Sequence, residues 1–170
     1  TSNLNSDLTL GGSATIDVAQ DKILTYGGAA LSLGVNTLTI AGAGTLSNTN
    51  AVELGEGSSV LKLSGTNTIS GPLLLNAGLI DVDESSTLSS DLILGGPATI
   101  NLAQDKTLTY EGVSLSIDAN TLTVTGTGTL LNKNALVLGS PESVLNLIDT
   151  KISGPVSLNG GAIKVNSSTL

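Results

Sequence analysis

The sequence contains no cysteine, histidine, phenylalanine, tryptophan or methionine, and its only aromatic residues are Tyr26 and Tyr110. The absence of cysteine excludes disulfides, thiol chemistry and thiolate-bound metals. Without large side chains, a core must be built from many small, similar layers of Leu, Ile, Val and Ala. Hydrophobic residues still make up 39% of the 170 residues, which is enough for one domain with a real core.

Basic residues are also scarce: six of them stand against fourteen acidic residues, for a formal net charge of −8. A nucleic-acid partner is not expected, because the chain has no basic stripe and no aromatic residues to stack on bases. The acidic balance is expected to keep an elongated, β-rich surface soluble. No segment is long and apolar enough for a transmembrane helix, and the opening TSNLNSDLTL does not resemble a signal peptide.

The chain repeats itself. SDLTLGGSATIDVAQDKILTY at 6–26 aligns with SDLILGGPATINLAQDKTLTY at 90–110, and SGTNTISGPLLLNAG at 64–78 returns as IDTKISGPVSLNGG at 148–161. The apolar positions are kept, whereas most of the others differ. The sequence therefore predicts one domain over 1–170, made of two tandem units at 4–87 and 88–170.

Within each unit, apolar-polar-apolar triplets recur about every seven residues, separated by Gly, Asn, Ser and Asp. This pattern indicates short, half-buried strands joined by tight turns, and no stretch has a helical period. Every third strand belongs to one set, whose members are 8–10, 31–33, 52–54, 73–75, 92–94, 115–117, 136–138 and 156–158. The irregular spacing predicts an all-β, right-handed, three-faced parallel β-helix (a β-solenoid) of about eight coils, about 40 Å long.

GTNTISGPLLLNAGLIDV at 65–82 resembles the autotransporter-associated β-strand repeat, whose pattern is roughly Gly-x-Asn-Thr-hydrophobic-Ser/Thr-Gly, a strand, Asn-Ala/Gly-Gly and a second strand. In the second unit ISGP at 152–155 and NGG at 159–161 match, while the Gly-x-Asn start is lost. The resemblance implies a secreted, right-handed β-helical stalk or adhesin at a bacterial cell surface. The sequence shows no membrane barrel, signal or cap of that family.

Candidate catalytic chemistry is weak. Enzymes on β-helices need two or three clustered carboxylates, usually beside aromatic platforms for sugars. The only acidic cluster is Asp81, Asp83 and Glu84, and a lysine, an asparagine and a serine occupy its place in the second unit. We expect a solvated turn there, with weak calcium binding as the alternative. No catalytic residue, cofactor site or other metal site is predicted.

Two other features recur in both units. The Asp-Lys pairs of AQDK at 19–22 and 103–106 are expected to form polar turns, since a catalytic lysine would need burial beside its carboxylate. Tyr26 and Tyr110 lie four coils apart, about 19 Å, which is too far for one small ligand. We therefore expect both tyrosines to be packing residues at the edge of a face.

One face carries hydroxyl groups on both sides of its inward residues. The pairs are Thr45/Ser47, Thr68/Ser70, Thr87/Ser89 and Thr107/Thr109. Two outward ranks of hydroxyls resemble the threonine arrays of ice-binding β-solenoids, although Thr is favoured in strands and Ser in turns for other reasons. These eight residues are the candidate binding face for ice or a glycan.

Neither end of the sequence shows a polar cap, and bare solenoid ends invite end-to-end association. We expect either a piece of a longer array or a subunit that stacks with itself. The first functional hypothesis is a non-enzymatic structural or adhesive module at a bacterial surface, with copies of itself, neighbouring repeats or a cell-surface or glycan receptor as partners. The second is ice or glycan binding, and the residue inventory argues against the third, an enzyme.

Overall fold

A computed structural model describes residues 1–167 of the chain, so the last three residues of the predicted second unit, 168–170, lie outside the described residues. Within that range the chain forms 23 short strands and no helix. Every pairing between these strands is parallel. Successive strands belong in turn to three series. The predicted all-β parallel β-solenoid of about eight coils is confirmed, and its right-handedness stays a prediction.

The first series is an eight-stranded sheet of β1 (Ser2–Leu4), β3 (Ile23–Tyr26), β6 (Thr45–Asn48), β9 (Thr68–Ile69), β12 (Ser86–Leu88), β15 (Thr107–Tyr110), β18 (Thr129–Asn132) and β21 (Lys151–Ser153). The second series is an eight-stranded sheet of β2 (Ala14–Asp17), β5 (Thr37–Ala41), β8 (Val60–Leu63), β11 (Leu79–Val82), β14 (Ala98–Leu102), β17 (Thr121–Thr125), β20 (Val144–Ile148) and β23 (Ala162–Asn166).

The third series is divided into two sheets. One contains β4 (Leu31–Ser32), β7 (Val52–Leu54), β10 (Leu73–Leu75) and β13 (Leu92–Leu94), and the other contains β16 (Leu115–Ser116), β19 (Leu136–Leu138) and β22 (Val156–Leu158). One strand from each series makes a coil. Coil 1 contains β1 and β2, coil 4 contains β9 to β11, coil 5 contains β12 to β14, and coil 8 contains β21 to β23.

Inward side chains of consecutive coils stack into columns, which form the core. One column of the second series consists of Leu38, Leu61, Ile80, Ile100 and Val124, each at most 1% exposed. Burying one such side chain contributes about 1.5–3 kcal/mol. Because each layer repeats the one below, Leu, Ile and Val fill the interior without Phe, Trp or Met.

The predicted grouping of the third series is confirmed from 31–33 onward. Leu31 pairs with Val52, which pairs with Leu73, and Leu73 pairs with Leu92. The first predicted member, 8–10, is not a strand, so that part of the prediction is wrong. The reason is that side chains of the next coil take the backbone groups that a sheet would use: Leu8 N–H donates to the Tyr26 hydroxyl at 3.0 Å.

Between β13 and β16, too, side-chain groups take the place of backbone hydrogen-bond partners, so the two strands do not pair. Leu92 N–H donates to the Tyr110 hydroxyl at 3.3 Å, and the Asn120 amide donates to the Leu94 carbonyl at 3.3 Å. In coil 1 the Asn36 amide likewise donates to the Leu10 carbonyl at 3.3 Å. The third series is therefore open at the same place in each unit, between its first and second coils.

The repeated ISGP segment forms a corner above a buried asparagine. The Asn48 amide donates to the carbonyls of Asn50 and Pro72, both at 3.0 Å. Gly71 lies directly against this residue, and a Cβ on Gly71 would lie 2.0 Å from the Asn48 carbonyl oxygen. Asn132 makes the corresponding bonds in the second unit, to the carbonyls of Asn134 at 2.9 Å and Pro155 at 2.6 Å. The ISGP segment recurs because both units form this corner.

Candidate functional site

The candidate hydroxyl face lies on the outer side of the first series, where all eight predicted residues are half-buried. Thr45 pairs with Thr68, and Thr68 pairs with Thr87. Thr87 then pairs with Thr109, which gives one rank of four threonines in four consecutive coils. Their spacing along the rod follows the strand separation of about 4.8 Å.

The predicted alignment of Thr107 with this rank is wrong. Thr107 pairs with Thr129 in the next coil, and its backbone N–H donates to the Ser85 hydroxyl at 3.1 Å. The shift arises because Leu88 pairs with Tyr110 instead of Leu108. A slip of two residues leaves every side chain on the same face, so alternation in the sequence cannot detect it.

Ser47, Ser70 and Ser89 lie beside the threonine rank, each two residues beyond its threonine. The serine rank is partly engaged with the backbone, since the Ser89 hydroxyl donates to the Ile69 carbonyl at 3.4 Å. Apolar residues end the threonine rank on both sides, because Ile23 pairs with Thr45 and Leu131 pairs with Thr109. The array is therefore narrow and short.

Sequence reasoning missed a second outward threonine group. In β17, Thr121, Thr123 and Thr125 alternate with buried Leu122 and Val124. Thr123 pairs with Thr99 of the preceding coil, but Asn101 pairs with Thr125. The alternating TLTVT was the signal for this group. Its rows break after one coil, so it forms a patch and not a regular array.

The acidic cluster is engaged in ion pairs between coils. The Lys62 ammonium lies 3.4 Å from Asp81 and 2.7 Å from Asp83. Glu84 pairs with Lys106 at 2.7 Å. The hydrogen bond with Asp83 is the main cause that raises the pKa of Lys62 above its ordinary value. Residues 1–167 contain no group of three or more His, Cys, Asp or Glu side chains that could hold a metal ion.

The AQDK segments form turns. Asp21 and Asp105 have φ angles of 60° and 59°, in the left-handed region that Asp tolerates better than most residues. Lys22 N–H donates to the Ala19 carbonyl at 3.0 Å, which closes the first turn. Lys106, in the second, joins the ion pair with Glu84. These contacts are those of a polar turn.

Both tyrosines are core residues, with Tyr26 4% and Tyr110 1% exposed. Burial raises the pKa of Tyr110, the bond from Leu92 N–H partly offsets this, and the nearby charge of Asp91 adds to it. Asp91 itself accepts a hydrogen bond from Val113 N–H at 3.1 Å. The sequence indicated packing residues but did not indicate that their hydroxyls replace backbone partners.

Two clefts are lined by residues of neighbouring coils. One, of about 150 Å³, lies between β13 and β16 and is lined by Asp91, Ile93, Val113 and Asp118, among others. The other, of about 430 Å³, lies near the coil 8 end and is lined by Leu147, Lys151 and Val165, among others. In the first cleft the Ser116 hydroxyl donates to the Asp118 carboxylate at 2.5 Å, an exposed contact between residues of one turn.

The coil 8 end exposes side chains whose counterparts in coil 4 are buried. Leu158 is 56% exposed and Val165 is 74% exposed, whereas their counterparts in coil 4, Leu75 and Val82, are fully buried. The coil 1 end is less open, since Leu8, Leu10 and Ile16 are half-buried. The two ends of the rod are thus the least covered parts of its apolar interior.

No helix that could cross a membrane occurs in the part of the chain that the structure describes. No protein-family model, curated protein or solved structure matches this chain. The structure establishes a β-solenoid of about eight coils. The resemblance to the autotransporter-associated repeat stays a sequence-based expectation.

Proposed function

We propose that this chain is a structural module: a stiff, non-enzymatic rod that acts as a stalk or adhesive spacer at a bacterial cell surface. The observation that carries the proposal is the unbroken parallel pairing of the first and second series through all eight coils. Each coil adds about 4.8 Å, so the rod is about 40 Å long. Such a body sets a distance between what lies at its two ends.

Contacts between coils support a mechanical role. Besides the backbone pairing, ion pairs join neighbouring coils, as between Lys62 and Asp83 and between Lys133 and Glu111. Exposed pairs of this kind contribute little each, about 0–1 kcal/mol. The stiffness therefore comes mainly from the hydrogen-bonded sheets and the buried columns, with the charges adding solubility.

Location and partners are proposed from the sequence. The resemblance of residues 65–82 to the autotransporter-associated repeat favours the bacterial surface, and the net charge of −8 disfavours nucleic acid. The partners would be neighbouring repeats, further copies of the chain, or a cell-surface or glycan receptor. The engagement of Asp81, Asp83 and Glu84 with lysines favours a structural role for them over catalysis.

Digestion of the folded chain with a protease of broad specificity tests the proposal. A rod whose backbone is paired from end to end should resist cleavage for much longer than its unfolded form. Leu75→Asp, which places a charge in the core, should abolish the resistance, whereas Leu74→Asp on the outer side of the same strand should keep it. If the native chain is cut as fast as the Leu75→Asp chain, the rod proposal fails.

The threonine rank favours a second candidate, the binding of ice or a glycan. Four threonines in register present hydroxyls and methyls at a constant spacing. Thermal hysteresis of a concentrated solution tests this, with Thr68→Tyr as the disrupting change and Thr123→Tyr on the second series as the matched control. Hysteresis that Thr68→Tyr does not reduce would end the idea.

A further inference from the structure

We propose that the coil 8 end of this chain docks on the coil 1 end of a second copy, so that β23 of one copy pairs with β2 of the other. This docking presupposes the rod-like structural role proposed above, and it specifies the partner, the polarity and the register. It rests on three observations: the uncovered apolar residues of the end coils, the opposite charges of these coils, and the geometry of the junction between coils 4 and 5.

The coil 8 end leaves apolar side chains uncovered. The side chains at the coil 8 end are exposed by 40% at Ile163, 74% at Val165 and 41% at Val156. Their counterparts in coil 4 are covered by coil 5, and Ile80 and Val82 are fully buried there. Among the described residues, coil 8 differs from coil 4 in having no further coil stacked on it.

The junction between coils 4 and 5 shows what that layer looks like. There β11 pairs with β14, with Ile80 opposite Ile100 and Asp81 opposite Asn101. By the sequence repeat, β23 is the counterpart of β11 and β2 is the counterpart of β14. The same register between two copies places Ile163 opposite Ile16 and Lys164 opposite Asp17.

Charge distinguishes the end contact from the internal junction. Inside the chain the Asn101 amide donates to the Asp81 carboxylate at 2.8 Å. At the ends the two positions are a lysine and an aspartate, which attract one another across a strand pair. Within one chain this outward position pairs an aspartate with an asparagine. Between two copies the corresponding position pairs a lysine with an aspartate.

The same asymmetry holds for the whole end coils. Residues 2–17 contain Asp7 and Asp17 and no lysine, whereas residues 151–166 contain Lys151 and Lys164 and no acidic residue. Coil 1 therefore has a side-chain charge of −2 and coil 8 of +2, on a chain of net charge −8. Head-to-tail contact brings opposite charges together, while head-to-head or tail-to-tail contact brings like charges together. A second copy is thus favoured as occupant over an unrelated apolar surface.

Sedimentation velocity over a concentration series at low and high salt tests the docking. The unmodified chain should form dimers and longer linear oligomers, and salt should weaken them. Lys164→Glu and Asp17→Lys should each weaken the association by about tenfold or more, because each places like charges opposite one another. Glu56→Lys, in an exposed turn of coil 3 that takes no part in the contact, should have no such effect.

Mixing the two variant chains gives the sharpest outcome. The Lys164→Glu chain and the Asp17→Lys chain should associate with one another nearly as well as the unmodified chain does with itself, because the two reversed ends are complementary. Resistance to protease, measured on the same samples, reports separately on the rod. The docking proposal fails if the unmodified chain is a monomer at all concentrations at low salt. It also fails if each variant associates with itself as strongly as the unmodified chain does, even where protease resistance shows that the rod is intact.

Discussion

Tyr110 holds its hydroxyl in the interior of the rod, where it replaces a backbone carbonyl as the acceptor for Leu92 N–H at 3.3 Å. Gly112 makes room for it, since a Cβ there would lie 2.6 Å from the hydroxyl oxygen. Tyr26 and Gly28 repeat the arrangement in the first unit. The two aromatic residues of the chain are thus both used to complete the hydrogen bonding of an interrupted sheet.

Tyr110→Phe should lower the free energy of unfolding by about 1–3 kcal/mol, because Leu92 N–H then has a hydrocarbon where it had an acceptor. Urea denaturation followed by circular dichroism measures this. Thr87→Val, which removes an outward hydroxyl from the neighbouring strand, is the matched control and should change the value by less than about 0.5 kcal/mol. Equal effects of the two changes would contradict the role given to Tyr110.

Tyr110 also predicts an alkaline limit of stability. Its pKa is raised above the ordinary value of about 10 by burial. The unfolded chain therefore loses this proton at a lower pH than the folded chain does, so the contribution is fully present below pH about 10 and is lost as pH rises through the raised pKa. Unfolding measured from neutral to strongly alkaline pH should show this decline, and Tyr110→Phe should make it smaller. If stability declines as steeply in the Tyr110→Phe chain, other groups cause the decline.

At the scale of the element, the ISGP corner shows why one glycine is kept. Gly71→Ala should destabilise the fold by more than about 2 kcal/mol, since its Cβ would lie 2.0 Å from the Asn48 carbonyl, a backbone atom that cannot move aside. Gly55→Ala is the control, because a Cβ there meets nothing within 4 Å. Thermal unfolding of both variants measures the difference, and a similar loss in each would refute the steric explanation.

The strands themselves were predictable because alternation and turn residues determine them: Leu73 and Leu75 are inward as the sequence indicates. What alternation could not give is the position of one coil on the next. The two-residue shift that places Thr109 beside Thr87 keeps every side chain on its predicted face. The opening between β13 and β16 was equally hidden, because it depends on the contact of Tyr110 with Leu92, 18 residues away.

At the scale of the whole molecule, coverage decreases from the middle of the rod to its ends. Inward residues of coil 4 such as Ile80 and Val82 are fully buried, whereas their counterparts Ile163 and Val165 in coil 8 are exposed. Since each coil contacts only its neighbours, its stability depends on having two of them. Amide hydrogen exchange should therefore be slowest in coils 3 to 6 and fastest in coil 8. Uniform protection along the chain would mean that the rod opens as a single unit.

The winding of the chain also determines how it yields to tension. Each strand runs across the rod and the strands of one series are stacked along it. A force applied to the two ends of the polypeptide should therefore detach one coil at a time and not shear all hydrogen bonds together. From the start of β18 to the start of β21 a coil contains 22 residues (151 minus 129), which span about 75 Å when fully extended. Coils 5 and 6 should separate at a lower force than other neighbouring coils, because side chains replace the backbone pairing between β13 and β16. A solenoid that resists bending can in this way also lengthen coil by coil and so absorb a sudden pull.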